Sequence, residues 1–197
     1  MPRSLFLFAP GAGAPSSSTW MRAWAAQLST LGRVETLDYS YRLEGRRAPD
    51  RLPVLIAAHR EALARARAGH DGPVFLAGKS MGGRVGCHVA LEDAVTGVIA
   101  FGYPLKAAGT GTLRDQVLVA LRTPVLFLQG TRDPLCPTDL LAEVRARMTV
   151  ENVLHLVEGG DHSLLVRAKE LKKLALTQAD VDRGIVGAIE GFVRDRI

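Results

Sequence analysis

The sequence predicts an α/β fold with a mainly parallel sheet of about six strands and helices on both faces. Short apolar runs alternate along the chain with longer segments in which apolar residues recur at helical spacing. The strand-like runs are almost continuously apolar, which is typical of parallel strands that are buried on both faces. At 197 residues the chain is long enough for one sizeable core, so we expect a single domain over residues 1–197.

Six apolar runs predict the strands. The first, at 4–9, follows Arg3 and resembles the start of a secretory leader. Its apolar core is too brief for a leader and ends at Pro10-Gly11, so we interpret it as a buried strand. The second run is the weakest of the six. In chain order, the expected strands lie at 4–9, 33–39, 73–78, 95–101, 124–129 and 150–157.

Capping residues and helical spacing predict the helices between these strands. The serines at 16–18 offer N-caps for a helix that contains both tryptophans and ends near Gly32. Asp50 can cap a long Ala- and Arg-rich helix at 51–68, which Gly69 closes. The remaining helices are expected at 80–91, 113–121, 137–148 and 180–197, the last with apolar residues at helical spacing.

Around position 80 an apolar strand leads through a G-x-S-x-G turn into a helix. The turn is Gly78-Lys79-Ser80-Met81-Gly82. A serine hydroxyl becomes a useful nucleophile when a sharp turn presents it clear of the sheet. Glycines on either side leave room for such a turn. The alternative is an ordinary strand-to-helix turn in which Ser80 is the helix N-cap.

Two further polar residues follow later strands, Asp133 after the strand at 124–129 and His162 after the strand at 150–157. The chain order Ser, Asp, His is typical of α/β-hydrolases and differs from the orders in trypsin and subtilisin. Each residue lies just past the carboxyl end of a strand, where open α/β sheets place their chemistry. We therefore predict Ser80 as nucleophile, His162 as general base and Asp133 as the acid that orients the imidazole. Asp161, directly before His162, is interpreted as a turn residue.

An acyl-transfer site also needs donors for the developing oxyanion. The backbone N–H of Met81, directly after the nucleophile, is one candidate. The second is expected from the Gly- and Ala-rich loop after the first strand, with Ala12 preferred and Gly13 next. That loop could instead be a plain turn or bind phosphate, but it lacks the endings of a P-loop and of a dinucleotide fingerprint. The expected lining of the acyl pocket comprises Gly13, Tyr103, Pro104 and Leu105.

Several motifs together resemble a known family. They are FAPGAGAP, AGKSMGGR, FGYPL, LFLQGTRDPL and EGGDHSL, which are spread over nearly the whole chain. They resemble the small α/β-hydrolases related to dienelactone hydrolases. Within that group they are most similar to a branch shared by bacterial predicted hydrolases, a testis-expressed protein and a subunit of a chromatin-acetylating complex.

This resemblance implies a minimal α/β-hydrolase core without a cap. It implies a triad of Ser80, Asp133 and His162, with Met81 and Ala12 at the oxyanion positions. Lys79 and Arg84 match the branch motif, and no catalytic role is assigned to them. After His162 the sequence departs from the family, because a Leu- and Lys-rich segment at 166–176 replaces the usual basic, proline-containing stretch. This segment is interpreted either as a mobile flap or partner-binding helix, or as a solvated connector.

The charge and the apolar runs of the sequence indicate which classes of binding partner to expect. The net charge of +5 comes mostly from scattered arginines, and the basic clusters lack interleaved aromatic residues, so we predict no nucleic-acid partner. No apolar run reaches transmembrane length, so we predict no membrane partner and a cytoplasmic location.

Cys87 and Cys136 have neither metal-ligand nor disulfide-framework spacing. A reactive role for Cys136 stays open because it lies near Asp133. No metal and no organic cofactor is expected.

The sequence thus predicts a serine hydrolase that cleaves a carboxylic ester or thioester of a small-molecule acyl substrate. The alternative is a non-catalytic interaction module that keeps the same fold, since some relatives act as assembly subunits. Neither the substrate nor the oligomeric state follows from the sequence.

Overall fold

A six-stranded parallel sheet forms the centre of the molecule, which a computed structural model describes over residues 3–197. The strands are β1 (Ser4–Ala9), β2 (Gly32–Thr36), β3 (Val74–Lys79), β4 (Gly97–Phe101), β5 (Val125–Gly130) and β6 (Asn152–Val157). Their order across the sheet is β2-β1-β3-β4-β5-β6, and all five neighbouring pairs are parallel. All six predicted strands are present, and the predicted parallel sheet is confirmed.

Helices connect the strands and pack on both sides of the sheet, as predicted. They are α1 (Thr19–Ser29), α2 (Ser40–Leu43), α3 (Leu52–Arg67), α4 (Met81–Val89), α5 (Gln116–Ala120), α6 (Thr138–Arg147), α7 (Ala168–Leu174) and α8 (Gln178–Arg194). Helices α3, α4, α5 and α6 bury their apolar residues against one face. Helices α1 and α8 cover the other face.

The alternation of side chains along each strand divides the interior into two cores. In β1, Leu5 and Leu7 join the core beneath α3 and α4, whereas Phe6 and Phe8 join the core beneath α1 and α8. All four side chains are buried. Burial on both faces explains why the inner strands read as continuous apolar runs rather than as alternating ones.

Three local predictions differ from the structure. The second strand ends at Thr36 rather than at 39, because the chain leaves the sheet edge and enters the short helix α2. Helix α3 begins after Arg51, and Asp50 does not cap it, because the carboxylate of Asp50 is paired with Arg46 at 2.7 Å. Ser18 occupies the N-cap position of α1 without a side-chain cap bond.

The segment at 166–176, for which the sequence left two interpretations, contains α7 and has no buried residue within that helix. Leu174 and Leu176 are exposed, and Leu171 packs partly against the α1/α8 core. Within residues 3–197, no helix is both long and apolar enough to cross a membrane.

Candidate active site

The candidate site lies at the carboxyl edge of the sheet, where β1 and β3 are neighbours. Strand β1 connects to β2 on one side of it, and β3 connects to β4 on the other. The loops that follow β1 and β3 therefore turn away from each other and leave a crevice between them. Crevices of this kind are where open α/β sheets bind their ligands.

Ser80 sits at the turn between β3 and α4 with an unusual backbone conformation. Its φ of 48° and ψ of −111° lie in a region that residues with side chains rarely adopt. The N–H of Ser80 donates to the carbonyl of Phe101 at 2.9 Å, which fixes the turn to the end of β4. Although Ser80 occupies the N-cap position, its hydroxyl makes no cap bond with the helix. The hydroxyl is thus available for another partner.

Glycines at 78 and 82 allow the backbone to approach closely on both sides of this serine. A Cβ on Gly78 would lie 2.3 Å from the carbonyl carbon of Gly82, and a Cβ on Gly82 would lie 2.5 Å from the carbonyl oxygen of Ala9. Real Cβ atoms essentially never come this close to other atoms, so a side chain at either position would force the backbone apart. The G-x-S-x-G spacing is therefore required by backbone packing in this fold, and it seats the start of α4 directly on the loop after β1.

The structure brings together the three side chains that the sequence singled out. Ser80 Oγ lies 2.8 Å from His162 Nε2, and His162 Nδ1 lies 2.7 Å from Asp133 Oδ2. An ionised carboxylate only accepts hydrogen bonds, so Nδ1 carries the proton and donates to Asp133. Nε2 then accepts the hydroxyl proton of Ser80. The imidazole is 26% exposed and the Asp133 side chain is fully buried, so the chain of bonds runs from the surface inward.

Three hydrogen bonds hold the carboxylate of Asp133, and the sequence predicted only the one with His162. Besides His162, the amide of Gln129 donates to Oδ2 at 2.7 Å and the N–H of Leu135 donates to Oδ1 at 2.9 Å. Gln129 in turn accepts from the N–H of Tyr103. The one available signal was a glutamine in an otherwise apolar strand, where a buried polar group needs partners.

These bonds determine the charge of the acid. Burial alone would raise the pKa of Asp133, but the hydrogen bond and charge of His162, together with the bonds from Gln129 and Leu135, outweigh burial. The pKa of Asp133 is therefore held below its usual value. The carboxylate stays ionised at neutral pH.

The loop that carries His162 is anchored by bonds to its backbone. Lys79 donates from Nζ to the carbonyl of His162, and the indole of Trp20 donates to the carbonyl of Ser163 at 3.0 Å. Asp161 accepts from the N–H of Ser163 and from the N–H of Leu165, and thus occupies a turn. Burial lowers the pKa of Lys79 to about 8, against the opposing effect of Asp133 and Asp161.

The two candidate oxyanion donors, Met81 and Ala12, line the same cavity as Ser80. Met81 is the first residue of α4, so its N–H has no carbonyl partner within the helix. The loop after β1 reaches the elbow near Gly11, where an added Cβ would lie 3.6 Å from the Cβ of Ser80. Tyr41 donates its hydroxyl proton to the carbonyl of Ala12 at 3.0 Å and so fixes the Ala12–Gly13 peptide, next to the peptide that carries the Ala12 N–H. No sequence signal marked Tyr41 for this contact.

A cavity of about 330 Å³ opens beside Ser80 and is lined in part by Ala12, Met81 and Pro104. The predicted pocket residues Tyr103 and Leu105 are fully buried in the core and do not line it. Gly13 does not line it either. A larger cavity of about 620 Å³ lies along β2 and does not include Ser80.

Cys136, for which the sequence left a reactive role open, is buried near Asp133. Burial, together with the charge of Asp133, raises the pKa of its thiol to about 12. The thiol is therefore protonated at neutral pH and is a poor nucleophile. Among residues 3–197, no three His, Cys, Asp or Glu side chains are grouped so that they could hold a metal ion.

Solved structures with the same fold come from several bacteria. An alpha-beta serine hydrolase homologue from Coxiella burnetii matches with a TM-score of 0.70 at 18% identity, over 87% of this chain and 82% of that chain. Est1E from Butyrivibrio proteoclasticus, with ferulic acid bound, matches with a TM-score of 0.68 at 16% identity, over 99% of this chain and 90% of that chain.

A dienelactone hydrolase from Anabaena variabilis matches with a TM-score of 0.63 at 20% identity, over 92% of this chain and 85% of that chain. At these identities the likeness establishes the fold. Family membership comes from a family model described as an alpha/beta hydrolase domain, which matches residues 2–192. Because that match spans nearly the whole sequence, the chain belongs to this α/β-hydrolase family.

Proposed function

We propose that the protein is a serine hydrolase that cleaves a carboxylic ester or thioester through an acyl-enzyme. The observation that carries this proposal is the continuous chain of hydrogen bonds from Ser80 through His162 to Asp133. A hydroxyl, an imidazole and a buried carboxylate in this order are the parts that activate a serine nucleophile. Membership in an α/β-hydrolase family supports the same reaction class.

The proposed reaction begins when Ser80 Oγ attacks the carbonyl carbon of the substrate while His162 Nε2 takes the hydroxyl proton. Asp133 stabilises the imidazolium that forms. The N–H groups of Met81 and Ala12 are proposed to stabilise the negative oxygen of the tetrahedral intermediate. His162 then returns the proton to the departing alkoxide or thiolate. Water attacks the acyl-Ser80 ester with His162 again as base, which releases the acid and restores the serine.

The cavity suits a small acyl group, since about 330 Å³ is at the low end of small-molecule sites. The names of the structural neighbours are compatible with this chemistry, because they include an enzyme that hydrolyses a lactone, which is a cyclic ester. The steps above use side chains and backbone groups only. The narrower likeness to a testis-expressed protein and to a chromatin-complex subunit remains a prediction.

Ser80→Ala should abolish covalent labelling by a fluorophosphonate probe while leaving the protein folded. The proposal requires this result because the serine oxygen is the atom that displaces fluoride from phosphorus. In-gel fluorescence after probe treatment measures the label, and circular dichroism checks the fold. Ser163→Ala, which removes a neighbouring hydroxyl beside His162, is the matched control and should label normally. Equal labelling of Ser80→Ala and the native protein, or a well-folded native protein that neither labels nor hydrolyses esters, would overturn the proposal.

Asp133→Asn should lower kcat by up to about 10⁴-fold, because the amide can donate to His162 and favour the wrong imidazole tautomer. Asp161→Asn is the matched control: its side-chain oxygen still accepts from Ser163 and Leu165, so turnover should change little. Steady-state hydrolysis of a short-chain thioester provides the measurement. If the two variants turned over equally fast, Asp133 would not be the acid of the site.

The pH profile of kcat/KM should show one protonation on its acid side. A histidine base works only when its imidazole is neutral, so the rate should fall towards the acid end of the measured pH range. Because the pKa of Asp133 lies below its usual value, that carboxylate stays ionised throughout this range and adds no second step. Initial rates between pH 5 and 9 test this. A flat rate from pH 5 to 8 would contradict the role proposed for His162.

A further inference from the structure

Two arginines line the cavity beside Ser80 without an acidic partner. Arg84 and Arg114 both contribute to its wall. The ion pairs formed among residues 3–197 involve other arginines, and neither of these two guanidinium groups takes part in one. Both residues are half-buried. Two arginines without an ion-pair partner thus stand in the wall of the space in which a substrate of Ser80 would sit, and they also line an adjoining cavity of about 200 Å³.

The position of Arg84 is fixed by the elbow itself. It follows Ser80 by four residues, and its N–H donates to the carbonyl of Ser80 at 3.1 Å, so Arg84 lies in the first turn of α4, directly after the elbow. Ser80 and Arg84 line the same cavity. A group bound by the Arg84 guanidinium in this cavity would therefore share the space of a carbonyl carbon under attack by Ser80.

Arg114 is also held in place, although it lies in a loop. Its N–H donates to the carbonyl of Leu105 at 2.8 Å, and its carbonyl accepts from the hydroxyl of Tyr103 at 3.1 Å. Tyr103 is fully buried and cannot line the cavity, but it anchors the residue that does. The backbone of Arg114 is thereby fixed to the segment after β4.

One carboxylate, that of Asp50, also lines the cavity. It is paired with Arg46 at 2.7 Å, and that contact holds the pKa of Asp50 below its usual value. Arg46 is shared with Glu44, whose carboxylate also lies 2.7 Å from it, so Asp50 is partly neutralised from outside the arginine pair. With two arginines and one carboxylate in its wall, the cavity has an excess of positive charge.

Burying a guanidinium group without an ion-pair partner costs free energy, and the lowered pKa of Arg84 reflects that cost. Burial, with the charge of Arg114 as the next cause, lowers the pKa of Arg84, but a guanidinium remains charged in a protein. Two like charges that are close together and partly desolvated favour a bound anion. Arginine is suited to this because its planar donors match the oxygens of carboxylates and phosphates.

We propose that Arg84 and Arg114 form an anion subsite, and that the preferred substrate is a short acyl ester or thioester with an anionic group on the acyl chain. The location of this subsite rests on the proposed role of Ser80 as nucleophile. A carboxylate and a phosphate-type group share the required chemistry. The subsite would set substrate preference and would take no part in the proton transfers.

The test compares three thioesters of N-acetylcysteamine. S-glutaryl and S-pentanoyl thioesters have acyl chains of similar length, but only the first ends in a carboxylate. S-3-phosphonopropionyl thioester carries a phosphonate instead. We expect the native protein to show a kcat/KM at least about tenfold higher for an anionic thioester than for the pentanoyl one. The ratio between the two anionic thioesters assigns the subsite to a carboxylate or to a phosphate-type group.

Arg84→Gln and Arg114→Gln should each lower kcat/KM for the preferred anionic thioester by roughly 10- to 100-fold, chiefly through KM. The pentanoyl thioester should lose less than about threefold, and fluorophosphonate labelling of Ser80 should persist. Arg114→Lys should recover part of the preference because it keeps the charge. Arg122→Gln, at an exposed site away from the cavity, controls for the change in net charge and should have no effect. Equal losses on neutral and anionic thioesters, or no preference in the native protein, would overturn the proposal.

A binding measurement separates this proposal from the proposed function. Isothermal titration of Ser80→Ala with the same thioesters needs no turnover, and the anionic ones should bind at least about tenfold more tightly than the pentanoyl one. If the native protein neither labels nor hydrolyses but this preference is present, the hydrolase proposal fails and the anion subsite stands. If the protein hydrolyses the pentanoyl thioester but Ser80→Ala binds all three equally, the hydrolase stands and the subsite fails.

Discussion

The close backbone packing around Ser80 is the constraint on which the rest of the site depends. The serine adopts a positive φ only because the helix after it is pressed against both the end of β3 and the loop after β1. A side chain at 78 would prevent the contact with the end of β3, and a side chain at 82 would prevent the contact with the loop after β1. Strain of this kind persists where the surrounding structure over-determines it, and it is concentrated at functional sites. The same packing that orients the hydroxyl also brings the Ala12 loop beside it.

A second close contact brings the acid and the histidine together. A Cβ on Gly130, at the end of β5, would lie 2.3 Å from the carbonyl oxygen of Gly160, so the loops after β5 and β6 touch through their backbones. The N–H of Arg132 donates to that same carbonyl at 2.9 Å. These main-chain contacts place Asp133 and His162 together with the side-chain bonds from Lys79 and Trp20 to the loop that carries His162. The bond to Gln129 then fixes the carboxylate from the sheet side.

The fold and the candidate residues Ser80, Asp133 and His162 were predictable because they are marked by local sequence signals. Continuous apolar runs marked the buried strands, and the polar residues were recognisable by their position directly after strands. The contacts of Gln129, Tyr41 and Arg114 depend instead on which segments distant along the chain meet in space. Tyr103 was misplaced for a related reason: an aromatic residue after a strand suits a pocket wall, but here its ring is buried and its hydroxyl anchors a loop.

The most direct test of the central claim is a crystal structure of the protein after reaction with a fluorophosphonate. We expect the phosphorus to be bonded to Ser80 Oγ, with its phosphoryl oxygen about 2.7–3.1 Å from the backbone nitrogens of Met81 and Ala12. His162 should remain bonded to Asp133. An adduct on another residue would contradict the role of Ser80 as nucleophile. A phosphoryl oxygen directed away from both nitrogens would contradict the roles of Met81 and Ala12 as oxyanion donors.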